Sequence, residues 1–150
     1  MKELEPLMIL EGHWTGKGKG SYGPFSAEMD VEVRGRWLLM RQKIMIPIVG
    51  ITTYVSTQVY GFDDAALTLD FFDTAGSFHF VGAREADQLR FHFQDAKAEK
   101  TSLYWTEGDE LRFEYVSVET EQDAAQKTIH FEGRWKRIES TSVSALRAQE

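Results

Sequence analysis

Apolar and polar residues alternate with a period of two along most of this chain. The clearest run begins at Phe25, where Phe, Ala, Met, Val and Val alternate with Ser, Glu, Asp, Glu and Arg up to Arg34. A period of two is the side-chain period of a β-strand, so one face of this segment is apolar and the other is polar. The pattern predicts a half-buried strand.

About ten segments of this kind follow one another, separated by short polar links. The links are too short for crossover helices, and a long antiparallel meander closes because open edges promote aggregation. We therefore predict an all-β fold, a single antiparallel up-and-down β-barrel of about 8–10 strands. The predicted strands are Gly12–Gly20, Phe25–Arg34, Arg36–Ile46, Ile51–Phe62, Leu67–Asp73, Ser77–Ala83, Gln88–Gln94, Lys100–Thr106, Glu110–Glu119 and Lys127–Ile138.

A short helix is predicted ahead of the first strand. Four apolar residues surround Pro6 there: Leu4, Leu7, Met8 and Leu10. Their spacing predicts one or two helical turns that cover one end of the barrel. The barrel domain is expected to span residues 1–138, followed by a polar tail at 139–150.

Glycine occupies one face of the first strand. Gly12, Gly16, Gly18 and Gly20 share a face with one large side chain, Trp14. Glycine weakens a strand and usually marks a bend or a close approach, so we expect something large to lie against this face. Trp14 is expected to be buried and to close one end of the barrel. Leu7, Leu10 and Tyr22 are expected near it.

The same stretch carries a family resemblance. The pattern Leu-x-Gly-x-Trp-x-Gly-x-Gly-x-Gly-x-Tyr, from Leu10 to Tyr22, resembles the first strand of the lipocalin-like barrels called nitrobindins and of DUF1579-type calycin domains. The segments 72–76 and 131–137 are more similar to the second group. The resemblance covers residues 4–138 and implies a small barrel with an internal cavity, without naming a ligand.

Composition excludes some classes of function. The 150 residues are enough for one domain, and a net charge of −7 argues against a nucleic-acid partner, because phosphate contacts need clustered Lys and Arg. No apolar run approaches the roughly 18 residues of a membrane span. The chain has no Cys and has acidic residues near its N-terminus, which together predict a cytoplasmic protein without disulfides or thiolate metal sites.

The four histidines give no local metal motif. His13, His79, His92 and His130 are not spaced as a ligand pair, so the spacing does not support structural zinc. Nitrobindins bind haem through a histidine on the last strand, and the resemblance puts His130 at that point as the ligand of a haem b iron. The alternation of Ile129, Phe131 and Trp135 instead predicts an outward His130, and a third interpretation is a polar residue of a pocket.

Aromatic and Met side chains are abundant and have two interpretations. They can fill the barrel as core, or line a cavity in which Tyr and Trp supply apolar area and a polar group. We predict non-catalytic binding of a small hydrophobic ligand without a cofactor. The predicted lining residues are Trp14, Trp37, Met40, Arg41, Tyr54, Tyr60, Phe71, Phe78, Tyr104, Tyr115 and Arg134.

Two further functional classes stay open. The resemblance implies a nitrobindin-like haem protein that acts on nitric oxide or peroxynitrite. An enzyme could instead use a polar patch of Arg41, Tyr54, Glu132 and Arg134 in the cavity. Mixed apolar and polar faces, as in the segment from Trp37 to Ile44, would also fit a wall that packs in a homodimer.

Overall fold

The structure is a computed structural model that describes residues 2–48, 50–64, 66–74, 76–120 and 126–138. Side chains are described for these residues except 2, 3, 48 and 50–52. The predicted polar tail at 139–150 lies outside the described residues, as does most of the predicted loop between the last two strands.

The fold is a closed antiparallel barrel of ten strands behind one 3₁₀ helix, Lys2–Leu10, which confirms the predicted all-β barrel. Each strand pairs with its sequence neighbours, and β1 pairs with β10 to close the wall. The strands are β1 Gly12–Gly20, β2 Gly23–Arg34, β3 Trp37–Ile48, β4 Gly50–Asp63, β5 Ala66–Asp73, β6 Gly76–Glu85, β7 Gln88–Gln94, β8 Ala98–Glu107, β9 Glu110–Thr120 and β10 Gln126–Ile138.

The strand ends differ from the predicted ones by at most about two residues, and the difference matters most at the link between β3 and β4. The segment 47–50 was predicted as a connection, but Pro47 pairs with Ile51 and Ile48 pairs with Gly50, so the ladder continues almost to the turn. No helix in the described part of the chain is long and apolar enough to cross a membrane.

The helix covers one end of the barrel, which we call the closed end. It packs against β3 and β4, and Leu7 and Leu10 are fully buried. Trp14 is 3% exposed, and its indole Nε1 donates a hydrogen bond of 2.9 Å to the Leu10 carbonyl. The predicted burial of Trp14 is confirmed, Leu10 lies next to it as expected, and Leu7 belongs to the same buried cluster. Tyr22 was expected there but lies beyond the far end of β1, where it contacts Phe131, because the strand carries the chain away from the helix.

Aromatic rings from the neighbouring strands cover the glycine face of β1. A Cβ atom added at Gly16 would lie 2.5 Å from Cε3 of Trp135, and one added at Gly18 would lie 2.8 Å from Cζ of Phe25. These contacts leave no room for a side chain. Something large was expected against the glycine face of β1, and the structure shows that it is the aromatic side chains of β2 and β10.

Candidate functional site

The barrel interior is sealed at the closed end and accessible to solvent at the other. Inward side chains near the helix, such as Leu38, Leu111 and Trp135, are completely buried. On the same inner face farther from the helix, Tyr115 is partly exposed and Tyr54 is 39% exposed. We call this second region the open end. It contains the inward residues Tyr54, Phe71, Phe78, Phe93, Lys100, Tyr115, Ser117, Glu119 and Phe131.

A buried lysine is the central polar group of the open end. Lys100 is 7% exposed, and its ammonium Nζ lies 4.8 Å from the centre of the Phe78 ring. Nζ donates hydrogen bonds to Ser117 Oγ at 3.1 Å, Glu119 Oε1 at 3.4 Å and Tyr115 Oη at 3.5 Å. A buried cation needs such partners because its transfer out of water is costly. The site therefore holds an ammonium group between three oxygen acceptors and the Phe78 ring.

A row of neutral polar groups continues from this region into the barrel. Tyr60 Oη donates to Gln58 Oε1 at 2.6 Å and lies 3.2 Å from Tyr104 Oη. Gln58 Nε2 in turn donates to Ser56 Oγ at 3.2 Å and Gln42 Oε1 at 3.3 Å. Burial raises the pKa of both Tyr60 and Tyr104 above the usual tyrosine value. These phenols stay protonated, so the row offers hydrogen bonds without charge.

Tyr54 and Asp73 form a second polar contact at the rim of the open end. The Tyr54 hydroxyl donates to a carboxylate oxygen of Asp73. Burial, followed by this hydrogen bond and the negative charge of Asp73, raises the pKa of Tyr54. The open end thus combines the Lys100 cation with two rim carboxylates, Glu119 and Asp73.

Eight of the eleven predicted lining residues face the interior. The alternation of each strand places them there: Trp14, Met40, Tyr54, Tyr60, Phe71, Phe78, Tyr104 and Tyr115. Tyr54, Phe71, Phe78 and Tyr115 lie at the open end, whereas the other four are deeply buried. The structure thus brings half of the inward set to a solvent-accessible region and uses the other half as core.

The other three predicted lining residues lie on the outer wall. Trp37 is 38% exposed and packs beneath the guanidinium of Arg36, while Arg41 and Arg134 are exposed. Leu38 and Met40 are inward residues of β3, and Trp135 is an inward residue of β10, so their sequence neighbours Trp37, Arg41 and Arg134 must face outwards. The predicted enzyme patch of Arg41, Tyr54, Glu132 and Arg134 is consequently split between the two faces of the wall.

All four histidines also lie on the outer wall. His13 bonds to Asp30, His79 Nδ1 lies 2.6 Å from Asp70 Oδ1, and His92 Nδ1 lies 3.3 Å from Thr101 Oγ1. His130 Nε2 lies 3.4 Å from Glu114 Oε2, on the face opposite to Phe131 and Trp135. The histidines of this chain therefore do not fit a haem held by an imidazole inside the barrel.

Sequence reasoning missed the polar residues of the interior. Lys100 and Ser102 share a strand face with Tyr104, which was predicted to point inwards, and Ser117 and Glu119 share a face with Tyr115. The period of two was thus a usable signal. The residue types predicted the opposite, because lysine and glutamate are rarely buried, and so Lys100 and Glu119 were not expected inside.

An outer groove of about 280 Å³ lies away from the barrel interior. It lies on the outer faces of β1, β2 and β3 and is lined by His13, Asp30, Glu32, Arg34, Leu39 and Arg41. Leu39 is its one aliphatic lining residue, so the groove is polar.

Comparison with known proteins adds no identity to this geometry. No protein-family model matches the chain, and a search of curated proteins found no match either. The closed ten-stranded antiparallel barrel is consistent with the calycin-like architecture that the sequence resemblance implies.

Proposed function

We propose that the open end of the barrel binds a small amphipathic molecule with an apolar body and a hydrogen-bond acceptor. The observation that carries this proposal is the buried Lys100 ammonium among inward aromatic rings that water can reach. Ligand pockets typically combine an apolar lining with a few converging polar groups. The resemblance to DUF1579-type domains also supports a binding barrel, because it implies an internal cavity.

The rings at the open end supply the apolar part of the proposed site. Phe78 is central, with its ring centre 5.4 Å from that of Phe93 and 6.5 Å from that of Phe71. These inward rings are only partly buried. Covering apolar surface is favourable by about 25 cal/mol per Å², so a ligand that shields the rings gains affinity from them.

Lys100 supplies the polar part. Its three donors are held by Tyr115, Ser117 and Glu119, and the Glu119 side chain is 38% exposed. A carbonyl, hydroxyl or carboxylate oxygen of the ligand could take the place of the Glu119 carboxylate as an acceptor, so that the buried ammonium keeps three partners. Charge-assisted hydrogen bonds are stronger than neutral ones, so this contact would orient the ligand.

The histidines and the inward tyrosines favour binding over catalysis. The histidines of the chain face away from the interior, and the inward Tyr54, Tyr60 and Tyr104 have raised pKa values. A general base works best with a pKa near the working pH, whereas these phenols keep their protons. We therefore extend neither the haem activity of nitrobindins nor an enzyme activity to this chain.

The proposal is tested by titrating the protein with 11-(dansylamino)undecanoic acid, a fluorescent probe with an apolar chain and a carboxylate. We expect saturable binding with blue-shifted emission. Lys100→Met should weaken binding by about 10-fold or more, because a hydrogen bond to a charged group is worth roughly 1.5–3 kcal/mol.

Lys19→Met is the matched control, since Lys19 lies on the outer wall and its side chain is 78% exposed. It should leave the affinity within about twofold, because an exposed ion pair contributes little. Circular dichroism confirms that both variants are folded. Equal loss of affinity in the two variants, or no saturable binding to the wild type, would contradict the proposal.

A further inference from the structure

We infer that the outer wall between β9 and β10 carries a binding site for a divalent transition metal such as Zn²⁺, with Glu114, His130 and Glu132 as ligands. Glu114 and Glu132 are directly opposite each other in the antiparallel ladder. His130 precedes Glu132 by two residues and therefore projects from the same face. This site does not depend on the ligand proposed for the barrel interior, which lies on the other face of the wall.

The distances within this trio suit a tetrahedral metal. One ligand atom from each residue lies within 4.8 Å of the other two, and His130 Nε2 is 3.4 Å from Glu114 Oε2. Zinc bonds to imidazole nitrogen and carboxylate oxygen are about 2.0–2.2 Å long, which puts two ligands of a tetrahedral site about 3.4 Å apart. One edge of the tetrahedron is thus already formed. Small side-chain rotations would close the remaining edges.

The chemistry of the trio also fits this class of metal. Imidazole favours Zn²⁺, Cu²⁺ or Ni²⁺ over Mg²⁺ and Ca²⁺, and two carboxylates balance the charge of a divalent ion. The three residues are partly exposed, which allows water to complete the coordination shell. Lys19 Nζ lies 3.7 Å from Glu132 Oε1 and is the competing cation. It is highly exposed, and such a pair is weak enough for a metal ion to displace.

Two hydrogen bonds hold the main chain of His130 in place. The Ser21 N–H donates to the His130 carbonyl at 2.8 Å, and the His130 N–H donates to Ser21 Oγ at 2.8 Å. Metal sites built on paired strands are more precise than sites on loops, because the wall limits how far the ligands can separate.

The other histidine pairs provide internal controls. His79 has a carboxylate partner, Asp70, and lies on the same outer wall, but within the described residues it does not belong to a group of three ligands. A histidine with one carboxylate binds metals weakly, whereas a third ligand makes a defined site. A metal that binds through exposed imidazoles in general would not distinguish His79 from His130.

Isothermal titration of the tag-free, full-length protein with ZnCl₂ tests this site. We expect one equivalent of Zn²⁺ to bind the wild type. His130→Gln and Glu132→Gln should each weaken binding by about 10-fold or more, because loss of even an outer-shell partner of a metal site costs 10–100-fold. His79→Gln should change the affinity by less than about twofold.

Both test residues lie at the protein surface, so the variants are expected to fold, and their melting temperatures verify this. Unchanged Zn²⁺ affinity in His130→Gln would overturn the inference. An equal loss in His79→Gln would overturn it as well, because binding would then be distributed among the exposed histidines.

Discussion

Replacement of Trp14 tests the packing of the closed end. Trp14 is 3% exposed, donates a hydrogen bond to the Leu10 carbonyl, and lies under the guanidinium of Arg137, whose Cζ is 4.5 Å from the ring centre. Trp14→Ala removes the ring, the hydrogen bond and the cation–π contact together. Trp14→Phe retains an aromatic ring but removes the indole donor.

The expected magnitudes follow from these contacts. Truncation of a large buried aromatic residue costs about 3–5 kcal/mol of unfolding free energy. A net hydrogen bond is worth about 1 kcal/mol, and the remaining loss of ring area is small, so Trp14→Phe should cost about 1–2 kcal/mol. A domain has roughly 5–15 kcal/mol of stability, which leaves the alanine variant measurable in most of that range.

Urea unfolding followed by far-ultraviolet circular dichroism measures the effect without relying on tryptophan fluorescence. Trp37→Ala is the matched control, because the same residue type is 38% exposed there and should cost less than half as much. A cost below 1 kcal/mol for Trp14→Ala, or a larger cost for Trp37→Ala, would refute the view that the helix and Trp14 seal the barrel.

Two further predictions concern packing and pH. Gly16→Ala should lower the free energy of unfolding by about 1–3 kcal/mol in a urea titration, because its Cβ would overlap the Trp135 ring. Thr15→Ala, on the exposed face of the same strand, is the control and should have little effect. A Gly16→Ala variant that is more stable than the wild type would contradict the close approach. Burial raises the pKa of Tyr60 and Tyr104 in the folded state above the value of about 10 in the unfolded chain. Their contribution to the free energy of unfolding is therefore complete below about pH 10 and is lost as the pH rises through the folded-state pKa values. The melting temperature should therefore fall above about pH 10, less steeply in Tyr60→Phe, and an identical fall in both proteins would exclude Tyr60 as a cause.

The barrel itself was predictable because side-chain alternation and short polar links determine it jointly. The alternation in β2 from Phe25 to Val31 agrees with the observed burial at each position. The correct facing of His130 was also contained in the pattern of β10, since Phe131 and Trp135 cannot point inwards unless His130 points outwards.

The composition of the site was less predictable, since it depends on which strands meet and on the depth of each residue. Lys100 is acceptable inside because Ser117 and Glu119 from β9 lie beside it, and that register is not visible in the sequence of β8 alone. Trp37 and Arg41 were assigned to the interior by residue type. Their strand also carries Leu38 and Met40 on the opposite face, and burial decides between the two faces.

The most direct test of the proposed binding site is to locate a bound amphiphile by nuclear magnetic resonance. Undecanoic acid is added to the isotope-labelled protein, and intermolecular nuclear Overhauser effects are assigned. We predict contacts from the alkyl chain to the rings of Phe78 and Tyr115, with the carboxylate end near Lys100. Contacts to the Leu39 methyl groups in the outer groove, without contacts to the inward rings, would contradict binding inside the barrel.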